Sequence, residues 1–387
     1  MDVTSLGGPT PPDPAAGQPT ARKPRVAVVF GGRSSEHAVS CVTAGSVLAA
    51  IDRQRYDVIP VGISRDGRWV LESGRPERLA ITDGRLPSVD ESGAAVVLSG
   101  DPTARELMVA EPGEVPRALG EVDVVFPLLH GPYGEDGTLQ GLLELAGVSY
   151  VGSGVLSSAI GMDKEYMKKL FVAAGLPVVD HIVIRPRDWE RDKASVADRV
   201  ARLGYPVFVK PARGGSSIGT SKVHGPEQLS PAIETAREWD PKILVEAAVE
   251  AREVECGVLD SLTDDEPEAS AVAEIKVRGD HEFYDFEAKY LDEVTEYDVP
   301  ADLPAETATQ VRRMAVAAFQ ALDCEGLARV DFFLQRDGTL LLNEVNTMPG
   351  FTPTSIFPVV WRESGVPYPA LVDRLIQLAL RRPTGLR

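Results

Sequence analysis

Apolar positions recur along the chain in two rhythms. Runs at residues 25–30, 56–63 and 122–129 read as strands, and the first and third are apolar almost throughout, as expected of a parallel sheet buried on both faces. A helical rhythm follows the first run at about 38–50. Another begins at Thr138, with Leu139, Leu142, Leu143 and Ala146 on one face and Gly147 as its stop. Strand, Gly31-Gly32 turn and helix start form the opening of a doubly wound α/β domain, although the third glycine of a dinucleotide fingerprint is missing. Residues 73–120 read as loops and short strands. The segment 149–154 closes this domain; its Gly152-x-Gly154 spacing has no ribose-binding acid behind it and carries no cofactor reading.

The rest of the chain alternates the two rhythms. Asp163 caps a helix with Met167, Leu170, Phe171 and Ala174 inward and Gly175 at its end. A strand at 205–209 enters a glycine-serine loop at 214–220. Further strands read at 242–249, 252–259 and 271–275. Residues 279–300 are polar and aromatic, and so long a loop reads as a lid. Pro304 opens a helix carrying Val311, Met314, Ala318, Phe319 and Leu322, and a last helix at about 369–381 packs the chain end. Units are expected at 24–154, 155–245 and 246–387, behind a disordered tail at 1–23 rich in Pro, Gly, Thr and Ala.

Two apolar runs flank Asp337-Gly338, a pair that favours tight hairpin turns. A two-residue turn there sets Arg336 opposite Thr339, and paired residue numbers sum to 675. Asp331 then faces Glu344 and Arg329 faces Asn346, all on one face. The other face takes Val330, Phe332, Leu334, Leu341 and Val345 as core. Asn343 falls there too, and the pattern gives no account of it. Opposed carboxylates repel at a Cβ separation of roughly 5 Å, and a cation between them removes the conflict. Asp331, Glu344 and Asn346 offer only oxygen ligands, which suits Mg2+ or Mn2+ and not Zn2+. Arg329 cannot ligate a metal and suits an anion. The alternative is a solvated face with an incidental acidic pair.

Other residues have the same two-sided character alone. Glu36 either favours a helix dipole or holds a substrate amine. His130 lies in the glycine-rich loop 130–137 at the carboxyl end of a strand, where such sheets bind ligands; a turn-stabilising role is the alternative. Lys164 sits in a first helical turn, where a cation opposes the dipole, so it either serves an anion or faces solvent. The 214–220 loop offers amides and hydroxyls to phosphate oxygens, with Lys210 at the strand end as a point charge. Glu246 suits a purine amine and Glu253 ribose hydroxyls, or both are surface acids. Lys289 and Tyr290 lie at the centre of the lid, and the loop 347–355 suits a carboxylate.

Bulk numbers narrow the function. At 387 residues the chain makes two or three domains. Forty basic against fifty-eight acidic residues, a net −18, opposes nucleic-acid binding as the main task. No apolar run reaches the ~18 residues of a membrane span, and no secretory signal is read. Cys41, Cys256 and Cys324 are scattered and read as buried thiols in a reducing cytoplasm.

Taken jointly, 31–40, 130–137, Met162-Asp-Lys164, Lys210-Pro with 215–219, 283–290, Arg329-Val-Asp331-Phe and 343–350 resemble the ATP-grasp ligases, and among them the D-alanine–D-alanine ligases, in order and over nearly everything after residue 24. The resemblance implies a doubly wound α/β domain followed by a two-domain α+β ATP-grasp fold. It implies ATP, two Mg2+ or Mn2+ ions on Asp331, Glu344 and Asn346, and a cytoplasmic homodimer in peptidoglycan precursor synthesis. Lys164, Lys210, Ser216, Ser217 and Lys289 would meet phosphates. Glu246, Ala248, Val249 and Glu253 would line the adenosine slot. Glu36 would hold the first D-alanine's ammonium, His130 would bind substrate, Arg329 would stabilise the oxyanion, and Gly350 with Ser355 would take the second substrate's carboxylate. Tyr290 would complete a Glu36–Ser216–Tyr290 group; its replacement marks relatives that make D-alanyl-D-lactate, the alternative product. A non-catalytic nucleotide-binding protein would lack the paired carboxylates or Arg329, and the incomplete fingerprint opposes a hydride-transfer enzyme.

Overall fold

The computed structural model describes residues 22–111, 113–263, 265–277 and 295–383. Apart from residues 22 and 23, the tail read at 1–23 lies outside the described residues, as do most of the lid and its Lys289 and Tyr290.

Eight strands build the first sheet: β1 (Arg25–Gly31), β2 (Asp57–Ile63), β3 (Trp69–Leu71), β4 (Ala95–Leu98), β5 (Glu106–Ala110), β6 (Arg117–Glu121), β7 (Val124–Pro127) and β8 (Ser149–Tyr150). Their order is β6-β5-β4-β3-β2-β1-β7-β8, parallel from β2 to β8 and antiparallel from β2 out to β6. The 73–120 stretch therefore widens the sheet as an edge meander. Alternation along β1 explains the two covering layers. Val26, Val28 and Phe30 pack with Cys41, Ala44 and Val47 of α1 (His37–Ala50). Ala27 and Val29 pack with Leu139 and Leu143 of α2 (Thr138–Leu145). Helices on both faces make this a doubly wound sheet. Leu142, expected inward, is 38% exposed on α2.

A connecting pair, α3 (Val155–Met162) and α4 (Lys164–Ala173), leads to β9 (His181–Ile184), α5 (Pro186–Arg191), α6 (Lys193–Ala201), β10 (Val207–Pro211), β11 (Ser221–Val223), α7 (Pro226–Arg237) and β12 (Ile243–Ala247). These four strands form an antiparallel sheet in the order β11-β10-β12-β9. Asp163 caps α4 by accepting from the Glu165 and Tyr166 amides, as its position predicts. Of the four residues expected inward on α4, Met167 and Phe171 are fully buried, Leu170 is half-buried and Ala174 is exposed.

The third sheet holds β13 (Ala251–Leu259), β14 (Glu268–Val277), β15 (Thr295–Asp298), β16 (Leu327–Gln335) and β17 (Leu340–Asn346), ordered β15-β14-β13-β16-β17. The helix α8 (Ala305–Ala321) covers one face with Val311, Met314, Ala318 and Phe319, joined there by Met167 and Phe171 of α4. Two last helices follow, α9 (Ile356–Glu363) and α10 (Tyr368–Arg381). The second returns to the first sheet: Leu371, Val372, Leu375 and Ile376 share a core with β1 and α1, and Tyr56 Oη donates to Asp373 Oδ1 over 2.6 Å.

Two expectations for the hairpin need correction. Its turn is not Asp337-Gly338 alone. Gln335 bonds Thr339, and Gly338, at φ +88°, closes a three-residue turn, 336–338, so Arg336 does not pair with Thr339. Pairs next to the turn therefore sum to 674, as in Leu334 with Leu340 and Phe332 with Leu342. A β-bulge then restores the sum to 675 for Asp331 with Glu344 and Arg329 with Asn346. The extra residue is Asn343. As a result Leu340 and Leu342, rather than Leu341, join the core, and Asn343 turns to the cleft.

Candidate active site

A cleft of about 310 Å³ opens between the second and third sheets. Its floor is the β16–β17 hairpin, and its wall the glycine-serine loop between β10 and β11. Lys164, Lys210, Ser216, Ser217, Glu246, Ala248, Val249, Glu253, Asp331 and Glu344 all line it.

On the floor, Arg329 and Asn346 crowd Asp331. Arg329 Nε and Nη2 each donate to an Asp331 oxygen over 2.8 Å, and Asn346 Nδ2 donates to Oδ2 over 3.0 Å. Glu344 ion-pairs with Lys164 at 3.1 Å. The two carboxylates that face each other are thus each neutralised by a protein cation, Arg329 and Lys164, which relieves the repulsion expected from the register. Asp331, Glu344 and the Asn346 carbonyl form an all-oxygen donor set on one face and fit a hard divalent cation.

Glu255 is a third carboxylate here. It stands beside Asp331 across the β13–β16 ladder and reaches Arg329 Nε at 2.7 Å. The sequence reading missed it, though the alternation Glu253-Val254-Glu255 puts it on the same face as the expected ribose contact.

On the second sheet, Glu246 of β12 is buried between two ammonium groups. Lys168 Nζ lies 2.6 Å from Oε1, and Lys210 pairs with Oε2. Burial pushes this carboxyl up, and the two lysines more than reverse that, to about 2. Burial pulls Lys210 down, but Glu246 and Glu344 leave it raised. Lys168 was missed. The available signal was its position four residues after Lys164, on the inward face with Phe171.

Glu36 enters from the first domain. Ser216 Oγ donates to Glu36 Oε1 over 2.5 Å, so the loop and the first domain meet at this carboxylate. Ser216 and Ser217 sit at φ +51° and +57°, consecutive left-handed residues that turn the loop's tip. Two of the three expected members of the Glu36–Ser216–Tyr290 group are therefore joined; Tyr290 lies outside the described residues, as does Lys289.

Glu135 Oε2 accepts from the Gly131 amide over 2.5 Å, and the 130–137 loop lies against the 347–355 loop, where Glu135, Thr347 and Met348 line one small cavity. His130 Nε2 is buried with no hydrogen-bond partner among the described residues. Burial pulls the His130 ring down despite Glu36 nearby. Burial, then repulsion from Glu36, pushes Glu135 up to about 8. Ser355 precedes α9. Its Oγ accepts from the Thr352 amide at 3.1 Å, and a side chain at Gly350 would abut that same oxygen.

Two family models match the chain: "D-ala D-ala ligase N-terminus" at residues 25–153 and "D-ala D-ala ligase C-terminus" at 170–377. The chain belongs to the D-alanine–D-alanine ligase family. Two curated relatives from this family, both called D-alanine–D-alanine ligase, come from Streptomyces griseus subsp. griseus and Streptomyces coelicolor. The first is 60% identical and the match covers 96% of each chain; the second is 61% identical over 94% of this chain and 95% of its own. Among solved structures, the VanG D-Ala:D-Ser ligase from Enterococcus faecalis aligns at TM-score 0.80 and 36% identity, over 92% of this chain and all of that one. The D-alanine–D-alanine ligase from Coxiella burnetii aligns at 0.78 and 33%, over 93% and 94%. The ATP-grasp fold of the family agrees with the sheets described above.

Proposed function

We propose that the protein joins two D-alanines into D-alanyl-D-alanine using ATP, through an acyl phosphate, for peptidoglycan precursors. The observation that carries this reading is the Ser216–Glu36 bond. It brings an ammonium-binding acid against a phosphate-binding loop, as a reaction between an amino acid's carboxylate and ATP requires.

In the first step an oxygen of one D-alanine's carboxylate attacks the γ-phosphorus, the bond to the β–γ bridging oxygen breaks, and ADP leaves. Glu36 holds that D-alanine's ammonium, and Ser216 fixes Glu36. Lys164 and Lys210 turn their charge to the phosphates. Glu246 takes the purine amine and Glu253 the ribose, with Ala248 and Val249 along the base. Asp331, Glu344 and Asn346 would hold the Mg2+ or Mn2+ ions, which supply charge neutralisation at the phosphates when bound.

In the second step the free amine of the other D-alanine attacks the acyl carbon, the tetrahedral oxyanion collapses, phosphate leaves and the amine gives up a proton. Arg329, anchored by Glu255, donates to that oxyanion. Gly350 and Ser355 take the second carboxylate, and His130 borders the first substrate. The resemblance assigns Lys289 to the phosphates and Tyr290 to the Glu36–Ser216 pair. The same reading divides the chain near 154 and 245 and takes it as a cytoplasmic homodimer. Among the described residues no helix is long and apolar enough to cross a membrane.

The test is ADP release from ATP and Mg2+ with D-alanine against L-alanine, with D-lactate as competitor. D-alanine-dependent ADP and a dipeptide product are expected. No ADP with D-alanine refutes the reading, and a dominant depsipeptide near neutral pH would transfer it to the D-lactate alternative.

A further inference from the structure

Lys168 has no solvent exposure, and burial pulls its ammonium below the ordinary lysine value although Glu246 beside it favours the charge. Its ammonium lies 2.6 Å from Glu246 Oε1 and donates to the Asn343 carbonyl over 3.2 Å. Those two partners belong to the two sheets that bound the cleft, β12 of the second and β17 of the third. Glu246 stands on β12, beside the segment 247–249 proposed for the base. Asn343 is the extra residue of the bulge on β17, next to Glu344. A bulge leaves one residue out of the ladder, so its carbonyl needs another donor. Lys168 supplies it. The helix α4 fixes both lysines of the pair, since Lys164 and Lys168 are one turn apart and each reaches β17: Lys164 through Glu344 and Lys168 through Asn343.

Burying an ammonium costs several kcal/mol unless it is paired and hydrogen-bonded. A leucine or methionine would fill this place without that cost. Nor does Glu246 need a second lysine to be neutralised, because Lys210 already pairs with it. The lysine is therefore explained by what it joins.

We propose that Lys168 is a positioning residue that sets Glu246 and the bulged end of β17 in one frame, so that the carboxylate proposed for the purine and the strand proposed for the metal ions are held at a fixed separation. The proposal rests on the reading of the cleft as an ATP site. Lys168 is not among the residues that line the cleft. It acts through Glu246 on one side and the Asn343 carbonyl on the other.

The experiment compares Lys168→Met, Glu246→Gln and the double variant with the unaltered protein. Magnesium-ATP and magnesium-GTP affinities are measured by titration calorimetry, and KM for ATP and for D-alanine in the ADP-release assay. Lys168→Met is expected to weaken ATP about ten-fold and to narrow the preference for ATP over GTP, with KM for D-alanine unchanged. In the double variant the ATP loss should match that of Glu246→Gln alone, because both changes cut the same connection. ATP affinity and purine preference within about two-fold in Lys168→Met would overturn the proposal, as would losses that add. Should Lys168→Met fail to fold, the double variant, which removes the buried pair together, decides against Glu246→Gln: equal ATP/GTP ratios support the proposal and a further fall in the ratio refutes it. Failure of the ATP reading is recognised separately, since the unaltered protein would then bind no magnesium-ATP.

Discussion

Burial and the like charge of Glu36 push the Glu135 carboxyl up to about 8, from an ordinary value of 4.5. The fold therefore favours its protonated form. The stability this contributes is complete below 4.5 and is lost as pH rises through about 8. Glu135→Gln keeps the hydrogen-bonding shape without the proton. Denaturant midpoints followed from about pH 5 to pH 8 should fall less in that variant than in the unaltered protein; parallel curves would mean that Glu135 ionises freely in the fold. Glu344 makes a different prediction. Removing its charge frees Lys164 and weakens the metal-binding face. We expect Glu344→Gln to lower turnover by about 10²-fold or more, with the circular dichroism spectrum and melting temperature close to those of the unaltered protein. Retained turnover would refute the assignment of Asp331, Glu344 and Asn346. Neither glutamate could be ranked from its neighbours in sequence. Glu344 had a visible partner in Asp331, whereas Glu135 is shifted by burial and then by Glu36, which is far along the chain.

At the scale of elements, the hairpin shows what a local pattern does and does not reveal. Alternation placed Asp331 opposite Glu344 and Arg329 opposite Asn346 correctly, although the turn was read one residue too short. The bulge compensates for that extra turn residue before the functional pairs are reached. It was illegible because the group that completes it, the Lys168 ammonium, comes from a helix distant in sequence, and a period-of-two reading has no place for an unpaired residue. The strands β1 and β7 were legible for the opposite reason, since burial on both faces makes each an apolar run. The turn after β1 offers a test. Gly31 sits at φ +91°, and a Cβ there would lie 2.3 Å from the Ile63 carbonyl oxygen. Gly31→Ala should cost about 1–3 kcal/mol in chemical denaturation. An unchanged midpoint would show that the loop moves aside.

Across the whole molecule, the three sheets follow one another along the chain, but the cores do not. Side chains from β1, α1, α9 and α10 form one cluster, with Tyr56, Asp373 and Gln377 hydrogen-bonded at its edge. Composition and periodicity predicted α10 but not its destination, because an amphipathic face specifies only that something apolar must cover it. Leu375 is almost fully buried in this cluster. Leu375→Ala is expected to destabilise by about 2–5 kcal/mol, and the first sheet should unfold with the helix: near-ultraviolet and far-ultraviolet transitions should shift together. A shift confined to one of them would mean that α10 detaches alone.

The return of α10 also fixes a timetable for biosynthesis. Tyr56 and Asp373 are 317 residues apart. A ribosome adding ~5–20 residues per second takes roughly 15–60 s to make that interval. Until α10 is made, the nascent first sheet leaves exposed an apolar surface whose cover has not yet been translated.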